Sequence, residues 1–283
     1  MSALSNIKNR QRKNLFFKAT IIVMASICAI PLALVLFYII KQGLAALSWN
    51  FITKLPTPIG VPGGGILNAI VGTLMLISIA TIIAVPIGII CGIYISENRN
   101  KKFAGLVRLC AEILQGIPSI VIGIITYLWV VKPFGGFSAF SGGIALAIMM
   151  LPVVVRTTEE TLNLVPNSLK EASLALGVSY SKTLRKVIVP CALSGIASGV
   201  TLSIARIAGE TAPLLFTAFG NPYLNLDITK PVDSLPMLIY TRAISPYEEW
   251  HQQAWGAALV LIILIFSISL LSKLIIKKWK VQF

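Results

Sequence analysis

Six stretches of this sequence are each apolar over a length that suits a lipid bilayer, and basic residues collect between them. A helix needs about 20 predominantly apolar residues to cross the hydrocarbon core. The candidates are residues 19–40, 66–95 with Pro86 interrupting the run, 106–131, 144 toward 158, a fifth run from 184 to 219, and 254–276. The fifth is too long for one straight helix. The expectation is an all-α, polytopic membrane protein of about six transmembrane helices.

Composition agrees. Of the 283 residues 56% are hydrophobic and only 12% charged, whereas a soluble domain carries about 25% charged residues. A water-soluble fold has no core large enough to hide so much apolar surface, and a bilayer supplies the missing solvent. The net charge of +14 does not point to nucleic acid. The basic residues form short patches between apolar runs instead of one stripe.

Those patches orient the chain. Lys8, Arg10, Arg12, Lys13 and Lys18 precede the first span, and Arg99, Lys101, Lys102 and Arg108 lie between the second and third. Lys170, Lys182, Arg185 and Lys186 lie between the fourth and fifth, and Lys273, Lys277, Lys278 and Lys280 close the chain. The other side has Lys41, Lys54, Lys132, Lys230 and Arg242, so the balance is 17 against 5. The positive-inside rule puts both termini in the cytoplasm, and an even number of spans is consistent with that. The apolar run after the basic N-terminus is long enough to span and shows no small-residue cleavage site, so it reads as a retained helix rather than a leader. The domain reading is a basic N-terminus at 1–18, a transmembrane domain at 19–276 and a basic tail at 277–283. Within it lie a cytoplasmic loop at 163–183 and a polar extracytoplasmic segment at 220–250. Trp250 and Trp255 open the last span, where an interfacial aromatic is favoured.

Cys28, Cys91, Cys110 and Cys191 lie in or beside apolar runs and form no CxxC pair, so they read as small packing residues. His251 is the single histidine. No metal site is expected.

Two basic residues sit where charge is costly. Arg156 follows an apolar run and Arg206 lies inside one. Such a charge at membrane depth faces a cavity or a partner. Arg156 has Glu159 at i+3 and Glu160 at i+4, and Arg206 has Glu210 at i+4. On a helix these spacings share a face. Each set reads either as a self-neutralised structural pair or as part of an anion path, because a guanidinium fork fits an oxyanion edge. Pro213 follows closely and is expected to break the helix. Broken helices in lipid occur where they are buried in protein or line water.

The segment at 163–189 is more than a connector. Pro166 is a helix starter, Leu169, Ala172 and Leu176 recur at amphipathic spacing, and Gly177 suits a left-handed cap. A second short helix is expected from Ser179 toward Pro190. A helix pair on the cytoplasmic face is a surface for a partner.

Here the sequence resembles a known family. Glu171-Ala172-Ser173, Gly177, Val187 and Val189-Pro190 look like the EAA loop of ABC-importer permeases. Ser173 stands in place of the second Ala, and Val187 and Val189 in place of Ile and Leu. Residues 64–73, 117–123 and 151–160, and most of all 205–217 with its Ala-Pro-Leu-Leu-Phe-Thr ending, resemble the PstA-type permeases of phosphate-specific ABC importers. The resemblance covers roughly 64–217. It implies that Glu171, Ala172, Gly177 and Pro190 belong to a coupling helix docked on an ATPase. It also implies that Arg156, Glu159, Arg206 and Glu210 line the substrate pathway, with Glu160 as a further member and Pro213 as the helix break beside it. The implied partners are a PstC-like second permease, a PstB-like ATPase dimer that binds ATP and Mg²⁺, and a PstS-like extracytoplasmic phosphate-binding protein. The substrate is inorganic phosphate and the location a bacterial-type inner membrane. No cofactor is expected in this chain.

The sequence has no GxxxxGK[ST] element, as suits a permease that borrows its engine. A membrane enzyme would need a nucleophile–base set or a metal cluster. A channel or secondary transporter would leave the Glu171–Pro190 loop without purpose. A sister importer for molybdate or sulfate would share the loop but not the wording of 205–217.

Overall fold

The computed structural model describes residues 2–58, 61 and 63–277. Thirteen helices account for most of these residues: α1 (Ser2–Ala46), α2 (Trp49–Thr53), α3 (Leu67–Glu97), α4 (Lys102–Gly116), α5 (Ser119–Thr126), α6 (Lys132–Phe134), α7 (Ala139–Asn163), α8 (Asn167–Ala175), α9 (Tyr180–Thr183), α10 (Val189–Ile207), α11 (Ala212–Leu215), α12 (Leu235–Ala243) and α13 (Glu248–Lys277). Two π turns, Tyr127–Val131 and Leu184–Ile188, complete the order. No strand occurs among the described residues, only an isolated bridge between Phe219 and Val232. The expected all-α membrane fold is therefore found. Five helices are long and apolar enough to cross a membrane, or six if the bent pair α4–α5 counts as one span.

Three expected spans differ in detail. The second is not interrupted at Pro86, since α3 runs unbroken through it. The third is no straight helix: α4 and the helix from Ser119 to Phe134 meet at 105°. Pro118 drives the residue before it out of the helical region, and Ile117 is extended at φ −73°, ψ 130°. The fifth begins earlier, as a rod from Tyr180 to Ile207. Pro190 and Pro133 each follow a π turn by two residues. The wider turn relieves the clash between a proline ring and the carbonyl four residues back.

The core is the seam between α3 and α7. It holds Leu76, Ala80, Ala84, Leu146, Ala147, Met150 and Val154. Small residues let the two backbones approach, as membrane helices require when hydrophobicity gives no net drive. A Cβ on Gly88 would lie 2.7 Å from Val154, and one on Gly92 would lie 2.6 Å from Thr158. α10 packs on the other flank of α7, with Thr157 filling the space left at Gly199. α1 lies outside this core, packs mainly on α13 and leaves large apolar side chains exposed from Leu15 to Leu44, as a lipid-facing helix would.

The ends of the bundle differ. α3 starts at the end that carries α12 and finishes at the end that carries Arg99, Lys170, Lys182, Arg185 and Lys186, here termed the basic end. At the opposite end Asn68 donates to the Asn221 carbonyl at 2.7 Å and to Asp233 at 3.4 Å. The Leu235 N–H donates to Thr73 at 2.9 Å. These bonds fix the polar segment after α11 onto the first turns of α3. Of the basic tail, residues 278–283 lie outside the described residues.

Candidate functional site

The charged residues singled out by sequence do not pair as their spacing suggests. Glu159 turns away from Arg156 and takes both its bonds from Arg108 on α4, whose Nε and Nη2 donate to Oε1 at 3.0 and 2.5 Å. Glu159 is 6% exposed at its side chain and Arg108 32%. The second carboxylate oxygen, Oε2, is buried with no partner among the described residues. Arg156 instead bridges two acids. Its Nε donates to Glu160 at 2.8 Å, one helical turn on, and its Nη1 donates to Glu112 on α4 at 2.9 Å. Arg108 and Glu112 are one turn apart on α4, as Arg156 and Glu160 are on α7, so two bridges lace the helices side by side.

The expected Arg206–Glu210 pair is absent from the ion pairs among the described residues. Helical geometry is lost first: α10 ends at Ile207, and residues 208–211 form a turn before α11. The i+4 relation therefore never becomes a shared face. Arg206 is exposed and Glu210 half-buried. Arg206 is also not level with Arg156. Gly199 sits against Thr157, and seven further residues of α10 carry Arg206 about 10 Å toward the opposite end. The structure thus brings Arg156, Glu159 and Glu160 into one seam with Arg108 and Glu112, and leaves Arg206 and Glu210 at a separate level beside the helix break. Pro213 is not itself where the helix stops: α10 ends at Ile207, six residues earlier, and Pro213 lies in the first turn of the short α11, which packs against Gly123 of α5.

Sequence reasoning counted Arg108 as one more basic residue on the cytoplasmic side and passed over Glu112. Their i, i+4 spacing on one run was the available signal, but nothing in it names partners 51 and 44 residues away.

At the basic end α8 and α9 form the expected helix pair. Pro166 caps α8, and Gly177 at φ +76° closes it. The Gly177 N–H donates to Leu174 and the Val178 N–H to Ser173, the bond pair of a Schellman motif. Ser173 is the buried residue, tied to Thr183 by a hydroxyl bond of 2.9 Å. Ala172 is exposed and Leu176 is 84% exposed, beside Leu164 at 82%. Of the three residues at amphipathic spacing, Leu169 is half-buried and Ala172 and Leu176 are exposed, and Glu171 is exposed as well.

A cavity of about 680 Å³ lies at the other end, lined in part by Pro56, Tyr223, Asp233, Arg242 and Trp250. It is remote from the charged seam. Arg242 lies over the Trp250 ring at 5.4 Å. Burial pushes the Asp233 carboxyl up to about 6, while the Ser234 N–H, the Arg242 charge and Asn68 pull it back down. Desolvation wins because the group is almost fully enclosed.

Residues 84–281 match the family described as binding-protein-dependent transport system inner membrane component. The phosphate transport system permease protein PstA of Yersinia pestis is 40% identical over 247 residues, covering 87% of this chain and 84% of that protein. The PstA of Xylella fastidiosa strain 9a5c is 42% identical over 86% of this chain and 85% of its own length. The PstA 1 of Mycobacterium tuberculosis strain H37Rv is 37% identical over 95% and 87%. Two solved structures share the fold at low identity. An inward-facing MetNI methionine ABC transporter chain gives a TM-score of 0.60 at 20% identity, over 77% of this chain and 95% of its own. A bacterial alginate ABC transporter chain gives 0.65 at 12%, over 92% and 93%. With the match to the family spanning most of the chain and relatives near 40% identical almost end to end, the chain belongs to the binding-protein-dependent transport system inner membrane components, in their PstA branch.

Proposed function

We propose that this chain is the membrane-spanning permease subunit of an ABC importer that moves inorganic phosphate into the cytoplasm. The observation that carries the reading is the 40% identity to a phosphate transport system permease over 87% of the chain. The geometry supports it. At the basic end α8 presents Glu171 with the exposed Leu176 at its C-terminal cap, a face suited to a partner ATPase, and Leu164 at the end of α7 is exposed too. The basic end is then cytoplasmic by the positive-inside rule, with both termini on that side.

In this reading the ATPase subunits, PstB-like, hold ATP and Mg²⁺, and this chain holds neither. A PstC-like permease completes the pathway, and a PstS-like binding protein delivers phosphate to the opposite end. Arg206, near the break between α10 and α11, is the guanidinium best placed to meet an oxyanion, since no carboxylate among the described residues pairs with it. Glu210 orients this region. Arg156 is already engaged by Glu112 and Glu160, so its part is to hold α4 on α7 and to yield when the seam opens. Glu159 and Arg108 close the same seam.

The test is ATP-dependent uptake of labelled phosphate into vesicles holding this chain with its partners. Arg206→Ala is expected to abolish uptake in an assembled complex and Arg206→Lys to restore it in part, because an ammonium lacks the planar fork. Normal uptake by both variants would remove Arg206 from the pathway. Uptake of sulfate or molybdate in preference to phosphate would reassign the substrate and leave the fold and the docking face as they are.

A further inference from the structure

Lys170 and Glu97 lie at the wrong ends of their helices. Glu97 is the last residue of α3, and Lys170 stands in the first turns of α8. The C-terminal end of a helix repels an acid and the N-terminal end repels a base. Each charge is therefore misplaced on its own element. They are held by each other: Lys170 Nζ lies 2.5 Å from Glu97 Oε2, and the side chains are 29% and 14% exposed. Tyr180 of α9 completes the arrangement. Its hydroxyl accepts from Lys170 Nζ at 3.2 Å, and Nζ sits 4.7 Å from its ring centroid.

The surroundings are stiff. The Ser173–Thr183 bond locks α8 to α9, and the Schellman bonds close α8 at Gly177. On the other side Asn163, the last residue of α7, accepts from Ser96 at 2.8 Å and from Arg99, which fixes the end of α3. α8 packs on α9 and on the turn Leu184–Ile188, elements that lead into α10. Lys170–Glu97 adds a polar link from α8 to a different span. That span is α3, which lies along α7 through Gly88 and Gly92 and at its far end holds Asn221 and Asp233 through Asn68.

We propose that the Glu97–Lys170 pair is the joint through which displacement of α8 reaches α3, so that both are positioning residues for coupling ATP hydrolysis to transport. The proposal rests on the functional reading above. Without the pair, α8 would deliver its motion through α9 to α10 and through the short link 164–166 to α7, but to α3 only by way of α7. The joint makes α3 move with it, and with α3 the polar segment at the opposite end.

The experiment measures phosphate uptake and ATP hydrolysis together in vesicles holding the assembled complex, for wild type, Lys170→Gln, Glu97→Gln and the reversed pair Glu97→Lys with Lys170→Glu. The single variants should lower phosphate moved per ATP hydrolysed by about fivefold or more, the scale of an ordinary coupling energy, while ATP hydrolysis continues. The reversed pair suits both helix dipoles, so it should fold, and it should recover most of the ratio. An unchanged ratio in the single variants overturns the proposal. So does a parallel loss of uptake and hydrolysis, which would mean an assembly role, or a reversed pair that assembles with a low ratio. If the wild-type complex takes up no phosphate, the substrate reading fails separately, and the joint is then judged by amide exchange over 168–176. Faster exchange in Lys170→Gln, reversed by the swap, supports the joint, and unchanged exchange sinks it.

Discussion

Glu159 shows how much one carboxylate depends on a distant partner. With Arg108 it is a nearly buried ion pair. Without Arg108 it is a buried charge with one oxygen already unpartnered. Arg108→Ala is expected to destabilise the protein by about 2 kcal/mol, less than for a fully buried pair because Arg108 keeps some solvent. Thermal unfolding in detergent checks this, and Arg108→Ala with Glu159→Leu should recover part of the loss. Glu159→Gln leaves a neutral acceptor for Arg108, and uptake and ATP coupling unchanged in that variant would exclude a gating part for the charge. Asp233, outside the spans, gives a pH prediction. Its folded-state carboxyl sits at about 6 against the model-compound 3.8, so the folded state binds the proton more tightly than the unfolded one. That contribution is fully present below pH 3.8 and is lost as pH rises through about 6. Asp233→Asn should flatten the fall in melting temperature between pH 4 and 7 and leave the variant the more stable protein at pH 7.5.

At the scale of the element, α3 and α7 are held by the absence of side chains. Gly92 faces Thr158 so closely that any Cβ requires the helices to separate. Gly92→Val should cost about 3 kcal/mol, the upper end for overpacking. The loss should appear as a lower melting temperature and poorer assembly, while a change on the exposed face of α1 has little effect. α8 makes the opposite case, because Ala172 and, at its C-terminal cap, Leu176 are exposed. Leu176→Glu should leave the melting temperature of the isolated chain unchanged and weaken its association with the ATPase, read by co-purification. An equal yield of complex would remove Leu176 from the docking face. The bend between α4 and α5 belongs to this scale too. One Ile117-Pro118 step turns a run long enough for a span into two helices at 105°.

Across the whole molecule the charged groups sort by level. The basic end holds the helix pair α8–α9 and its tie to α3, the seam of Arg108, Glu112, Arg156, Glu159 and Glu160 lies next, and Arg206 stands beyond it near the end of α10. On the proposed reading, an anion would meet Arg206, which pairs with no carboxylate among the described residues, and then the two bridges of the seam. Opening the seam means parting α4 from α7 while α3 stays on α7 through its glycines. Distances between labels on α4 and α7 should therefore lengthen during the transport cycle, and those between α3 and α7 should not. Pulsed spin-label measurements with and without ATP in the assembled complex read both.

Sequence alone determined that the chain crosses a bilayer and roughly where its apolar runs lie, because crossing is a matter of apolar length and each run carries that information locally. It also determined the Gly177 cap and the Pro166 start, since each follows from the backbone chemistry of one residue. Only the tertiary structure decided which charge meets which. Spacing offered Arg156 both Glu159 and Glu160, and the choice fell to Glu160 and to Glu112 because Arg108 claimed Glu159 from another helix. Arg206 and Glu210 matched in spacing and still did not pair, since the helix that would have aligned them had ended. Partners 51 or 73 residues apart, such as Arg108 with Glu159 and Lys170 with Glu97, meet because of how the helices are rotated and how closely they approach. Those are set by small residues packing against side chains of another span, a relation no local pattern carries.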